Sequence, residues 1–177
     1  MPSSNPGPSF RIGHGYDLHR LEPLNAPASP GSQPVRPLVL GGVRLDHTHG
    51  PVAHSDGDAL YHAVTDAILG ALGEPDIGQL FPDTDPRHDA RDSAVFLEEA
   101  GRIAAARGFT ITNLDATVIL ERPKLMPHKA AMIANIARVL GLEASRVNVK
   151  GKTHERVDAV GEGRAVEVHC VALLTAR

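Results

Sequence analysis

Apolar and polar residues follow two periods along this chain. Residues 9–13 and 37–46 read as strands, the second interrupted by Gly41-Gly42. Residues 109–121 largely alternate through Ile111, Leu114, Ala116, Val118 and Leu120, the pattern of a half-buried strand. Two further strands are expected at 146–152 and 164–175. Between them, Leu60, Ala63, Val64, Ala67, Ile68 and Ala71 recur at helical spacing. Ser55 or Asp56 can cap that helix, which runs to about Leu72 and stops at Gly73. A second helix is expected over 93–107, ending at Gly108, and a third over 127–140, ending at Gly141. The proline- and acid-rich stretch 74–91 predicts a loop. The order ββααβαββ implies an α/β sandwich of the α+β kind, a mixed sheet with helices packed on one face. The other face then needs a cover, and oligomerisation is the simplest one.

At about 100–200 residues per domain, 177 residues make one domain, assigned to 9–177. Residues 1–8 read as a disordered tail, and Pro23–Pro37 as a solvated loop between strands. Hydrophobic residues are 42% and charged residues 22%, so a packed core is within reach. Aromatics are only 3% and Trp is absent, so that core is built from Ala, Val, Ile and Leu. The same scarcity argues against a base-stacking platform, and a net charge of −3 supplies no basic field. No nucleic-acid partner is expected. No membrane partner is expected either, since no run reaches the roughly 18 apolar residues of a span. One cysteine, Cys170, excludes an internal disulfide framework and fits a reducing, cytoplasmic setting.

Histidine changes the picture. Ten are present, and six of them (His14, His19, His47, His49, His54, His62) lie between positions 14 and 62. Asp17 and His19 stand two apart after the first strand, on one side of extended chain. That is either a two-toothed metal clamp or a hydrogen-bonded pair in a loop. Asp58, His62 and Asp66 stand four apart on the first helix, with Asp66 placed to hold the His62 imidazole. Asp17, His19 and His62 together would form the three-donor N,N,O set of an open zinc site. His54 and Ser55 precede the helix, where an anion or a simple cap would suit. Lys150 and Lys152, with Thr153 and Glu155, could hold a phosphate and a divalent ion. No GxxxxGK[ST] or GxSxG pattern occurs, and Cys170 sits in an apolar strand unsuited to a nucleophile.

In order, these segments resemble the 2-C-methyl-D-erythritol 2,4-cyclodiphosphate synthase family of the non-mevalonate isoprenoid pathway. The matching text is Arg11-Ile-Gly-His-Gly-Tyr-Asp-Leu-His19, Leu40-Gly-Gly-Val43 and Ala53-His-Ser-Asp-Gly-Asp58 with His62 and Thr65-Asp66. Asp76-Ile-Gly78, Leu80-Phe-Pro-Asp-Thr-Asp-Pro86, Arg122-Pro-Lys124 with Pro127-His128, and Val147-Asn-Val-Lys150 continue it. The resemblance implies cyclisation of a cytidine-diphosphate-linked methylerythritol phosphate with loss of CMP. It implies a homotrimer whose active sites lie between subunits and whose contacts cover the open sheet face. Asp17, His19 and His62 then correspond to zinc ligands, and Glu155 to the ligand of Mg²⁺ or Mn²⁺. His54 and Thr153 correspond to groups that steady the transition state. Ser55, Asp76, Gly78, Phe81, Asp83 and Asp85 correspond to contacts with the substrate's phosphate, sugar and methylerythritol. Lys124 and Met126 belong to the wall met by cytosine and phosphates from the adjacent chain. The chain departs from the family pattern at Lys152 and His154, which replace small hydroxyl residues, and in the shortened run Val160-Gly-Glu-Gly163.

Overall fold

The computed structural model describes residues 9–27 and 31–177. The expected tail at 1–8 and the middle of the Pro23–Pro37 loop lie outside the described residues. The elements run β1 (Phe10–Pro23), β2 (Val39–Leu40), β3 (Val43–Arg44), β4 (His49–Pro51), α1 (Ala59–Leu72), α2 (Ile77–Leu80), α3 (Ala94–Ala106), β5 (Phe109–Ile119), α4 (Lys129–Leu140), β6 (Val147–Lys152), α5 (Asp158–Gly161) and β7 (Ala165–Ala176). Five strands form one mixed sheet in the order β4-β1-β7-β5-β6. Among the described residues only β5 and β6 run parallel, and α4 makes the crossover between them. The expected 37–46 strand is instead a hairpin of β2 and β3, because Gly41 and Gly42 both take positive φ and reverse the chain.

Helices α1, α3 and α4 cover one sheet face. The core between consists of small aliphatic side chains, with Leu60, Val64, Ile68, Leu97 and Ile136 fully enclosed against Val166, Val168, Ala172 and Leu174. Each large aliphatic contributes about 1.5–3 kcal/mol by burial. Packing is close where α1 crosses β1. A Cβ added at Gly13 would sit 1.9 Å from the Ala67 carbonyl oxygen, and one at Gly15 1.9 Å from that of Ala63. These two glycines let the helix backbone rest directly on the strand.

The opposite face carries Phe10, Ile12, Tyr16, Leu18 and Val171, each 45–65% exposed. Beyond it, β1 pairs with β7 from Phe10 to Arg20, while β4 flanks only Leu21–Pro23. Among the described residues, β1 therefore has one sheet neighbour over most of its length.

Three local expectations are corrected. The cap of α1 is Asp58, not Ser55 or Asp56: its carboxylate accepts from Leu60 N and Tyr61 N, and also from Gly41 N and Gly42 N. Satisfying four amides from two segments outweighs what Ser55 or Asp56 can offer. The 74–91 loop contains a helical turn, α2, because Asp76 caps it by accepting from Gln79 N. A 3₁₀ turn at Pro86–His88 follows, capped by Asp85 on Arg87 N.

Candidate active site

The inward parity of β1 that places Gly13 and Gly15 beneath α1 places Asp17 and His19 next along the same side. They reach the start of α1, where His62 points down. His62 Nδ1 lies 3.0 Å from Asp17 Oδ2, His19 Nε2 lies 3.1 Å from the same oxygen, and the two nitrogens are 3.3 Å apart. Three donors from two elements thus converge on one point, as the residue spacing suggested. Burial raises the Asp17 pKa, but hydrogen bonds from both imidazoles outweigh it and hold the carboxyl well below the usual range. Burial lowers the His62 pKa, and the Asp17 carboxylate more than reverses this, so it stands above the ordinary value. Two imidazole nitrogens and a carboxylate crowded within hydrogen-bond distance make a donor set that a divalent cation such as zinc fits.

A cleft of about 240 Å³ opens beside the cluster, lined by His19, His54, Ser55, His62, Gly78, Phe81 and Asp83 among the expected residues. His54 Nε2 donates to the Asp85 carbonyl at 3.1 Å, holding the acidic loop over the cleft. The Ser55 hydroxyl accepts from Gly57 N at 3.2 Å and lies 3.4 Å from His62 Nε2. Phe81 stacks on Phe96 with ring centres 4.6 Å apart, and His88 stands edge-on to both. Sequence reasoning missed His88 and Phe96. Phe96 reads as an ordinary core position of a helix, and His88 as one more loop polar residue. It also missed Ser93, whose Oγ lies 2.8 Å from His62 Nε2.

Other expected residues fall elsewhere. Asp58 is a buried clamp. Asp66 does not hold the His62 ring; its Oδ1 accepts from Ile77 N at 2.8 Å, tying α1 to α2. Asp76 is occupied with Gln79 through both oxygens, and Asp85 with Arg87, whose guanidinium holds the Asp85 carboxyl well below its usual range. Lys150 donates to Asp115 at 2.7 Å across the sheet. Thr153 and Glu155 lie past the end of β6, hydrogen-bonded to each other at 3.1 Å. Strand β6 stands three places from β1 in the sheet, about 14 Å at ordinary strand spacing. Met126 is 84% exposed, and neither it nor Lys124 lines the cleft. A larger cavity of about 740 Å³, framed by Arg20, Arg122, Arg156 and Arg164, lies apart from the donor cluster. The converging donors open on the smaller cleft and not on this cavity.

Residues 10–175 match the model of the YgbB family. Over 166 residues the chain is 52% identical to a chloroplastic 2-C-methyl-D-erythritol 2,4-cyclodiphosphate synthase of Catharanthus roseus, covering 94% of this chain and 66% of that protein, about two thirds of its length. It is 48% identical to the 2-C-methyl-D-erythritol 2,4-cyclodiphosphate synthase of Dechloromonas aromatica, covering 94% of this chain and 97% of that one. The solved structure of the Plasmodium falciparum protein IspF in complex with CDP superposes with a TM-score of 0.79 at 38% identity, covering 96% of this chain and 97% of that chain. With the family model matched over residues 10–175 and relatives about half identical over nearly its whole length, the chain belongs to the YgbB family.

Proposed function

We propose that this chain cyclises 4-diphosphocytidyl-2-C-methyl-D-erythritol 2-phosphate to 2-C-methyl-D-erythritol 2,4-cyclodiphosphate and releases CMP. The observation that carries the reading is the Asp17–His19–His62 cluster opening on a cleft, in a chain whose relatives bear that synthase name. A related structure holds CDP, the cytidine portion of such a substrate.

The obstacle in this reaction is charge, since one phosphate must attack another. The nucleophile is already anionic, so no strong base is needed. A zinc ion held by Asp17, His19 and His62 would neutralise phosphate charge there. The chain's own groups do the rest. His54 lines the cleft and, through Nε2–H on the Asp85 carbonyl, fixes the loop carrying Asp83, whose carboxylate suits polyol hydroxyls. Phe81 and Phe96 form an apolar wall that keeps water from the reacting phosphates. Holding both phosphates in one cleft contributes up to about 7–11 kcal/mol in favourable cases.

Thr153, Glu155, Lys124 and Met126 complete the site from a neighbouring copy in a homotrimer. Two features support this: these residues stand apart from the cluster within one chain, and the sheet face opposite the helices carries exposed Phe10, Ile12, Tyr16 and Leu18. Glu155, an exposed single carboxylate, fits Mg²⁺ or Mn²⁺, which bind through few carboxylates together with substrate phosphates. No helix among the described residues is long and apolar enough to cross a membrane. The buried, unpaired Cys170 suits the reducing cytoplasm, the compartment we assign, although the plant relative is chloroplastic.

The test is ³¹P NMR of the protein with the cytidyl-diphospho substrate, Mg²⁺ and zinc. Equal amounts of CMP and a cyclic diphosphate are expected. Release of inorganic phosphate would replace cyclisation with hydrolysis. His62→Ala is expected to abolish turnover while leaving the assembly intact; full activity in that variant would overturn the metal assignment.

A further inference from the structure

Ser93 sits immediately before α3, where a serine ordinarily caps the helix, yet its hydroxyl makes no capping hydrogen bond. Asp92 accepts from Ala94 N instead, at 2.8 Å. Ser93 is fully enclosed, and its hydroxyl is turned away from its own helix. Its Oγ lies 2.8 Å from His62 Nε2 and 2.5 Å from Asp56 Oδ1, while its backbone N–H donates to Asp56 Oδ2 at 3.1 Å. Asp56 is itself pinned, accepting from Asp58 N at 3.1 Å and donating its own N–H to the Arg91 carbonyl at 3.1 Å.

The hydrogen count fixes the direction of this chain. A carboxylate only accepts, and a serine hydroxyl has one hydrogen. That hydrogen goes to Asp56, so Ser93 Oγ accepts from His62 Nε2–H. A neutral imidazole carries one N–H, and committing it at Nε2 leaves Nδ1 as the lone-pair nitrogen once a cation displaces the proton that Nδ1 shares with Asp17 Oδ2 in the metal-free site.

We propose that Ser93 and Asp56 are positioning residues that lock the His62 tautomer and ring plane, so that Nδ1 is presented as a cation donor. The inference rests on the cation reading of Asp17, His19 and His62. Outer partners of this kind change metal affinity by about 10–100-fold.

The experiment measures zinc affinity of the full chain by competition with a chromophoric chelator, for the parent, Ser93→Ala, Ser93→Thr and His62→Ala. Ser93→Ala is expected to bind zinc about 10–100-fold more weakly. Ser93→Thr, which keeps the hydroxyl, should restore binding to within a few fold. In ¹⁵N-histidine spectra of the zinc-loaded parent at pH 8, His62 should show a slowly exchanging proton on Nε2, and Ser93→Ala should lose that protection. A merely structural role would move the melting temperature and leave this signature alone. If Ser93→Ala does not fold, Asp56→Asn carries the same two readouts. Parent-like zinc affinity in Ser93→Ala, with binding lost in His62→Ala, overturns the positioning role and leaves the cation site standing. Parent-like affinity in His62→Ala overturns the cation reading itself.

Discussion

Gly15→Ala puts the geometry of the donor cluster to its sharpest test. The new Cβ would meet the Ala63 carbonyl oxygen at 1.9 Å and Ala67 N at 2.6 Å. Ordinary contact begins at 3.4 Å, so α1 must lift by 1.5 Å to relieve the first clash. Both colliding atoms are backbone, and no rotamer change can absorb the clash. Overpacking of this kind costs about 3 kcal/mol, at the upper end of the usual range. At about 2–4 °C per kcal/mol for a chain this size, melting should fall by roughly 6–12 °C. His62 rides on α1 while Asp17 and His19 stay on β1, so the 3.0 Å separation of His62 Nδ1 and Asp17 Oδ2 opens with the helix. Metal sites tolerate only about 0.2 Å of such error. Zinc affinity, measured by calorimetric titration, should drop by at least about 100-fold, more than the loss of an outer partner causes. Gly70→Ala is the matched control. Its Cβ meets nothing closer than the His14 carbonyl oxygen at 3.7 Å, so it should stabilise α1 by about 0.5–1 kcal/mol and leave zinc binding alone. Parent-like melting and zinc affinity in Gly15→Ala would refute the claim that strand glycines set the donor geometry.

Three further outcomes follow from groups already placed. Asp58→Asn keeps the shape of the α1 clamp but turns an NH₂ toward one of four amide donors; a loss of about 2 kcal/mol is expected in thermal melts, and an unchanged melting point would contradict the clamp. In metal-free protein, the depressed Asp17 pKa gives stability that is present above about pH 4 and lost as pH falls through its folded value. The raised His62 pKa gives stability that is present below about pH 6.5 and lost as pH rises through its folded value, so denaturant midpoints in EDTA should decline between pH 6 and 8. Zinc needs the deprotonated ring and should reverse that decline, whereas EDTA midpoints that climb over the same interval would break the Asp17–His62 argument. Burial pushes the Cys170 thiol up to about 12, so iodoacetamide at pH 8 should label the chain only after unfolding. Stoichiometric labelling of native protein would show that the β7 core is open.

Much of this was legible in the residues, for reasons that differ by element. The three long helices carried unbroken apolar spacing, and Gly73 and Gly141 stopped two of them in the left-handed conformation their positions required. The residue pattern marks only five of the 14 residues of β1, because its inward face holds glycines where helix backbone must fit and polar donors where a cation would sit. Alternation is a signal of burial, and it vanishes where burial is replaced by function. β4 was missed because it is three residues long and ends in proline. Asp17 and His19 were legible as a pair because strand parity alone fixes their common side. Asp66 and Ser93 were not, since partner choice there was decided in three dimensions: Ile77 N claimed one, and His62 claimed the other. Thr153 and Glu155 stand apart from the cluster because β6 lies three strands from β1 in the sheet.

The one-sided pairing of β1 has a cost in solution behaviour. Over Phe10 to Arg20 this strand has β7 on one flank and no strand on the other among the described residues, and its outward side chains include Phe10, Ile12, Tyr16 and Leu18. An uncovered edge with an apolar flank is a template for pairing with another chain, and hence for aggregation. The devices that blunt it are the ones that build the site. Gly13 and Gly15 weaken β propensity, Asp17 and His19 put a charge and a polar ring inside the strand, and Asp17 Oδ1 occupies the Leu18 amide at 2.9 Å. Substitutions that strip the donors, such as Asp17→Val, would remove these safeguards along with the chemistry, and such variants should precipitate at concentrations the parent tolerates.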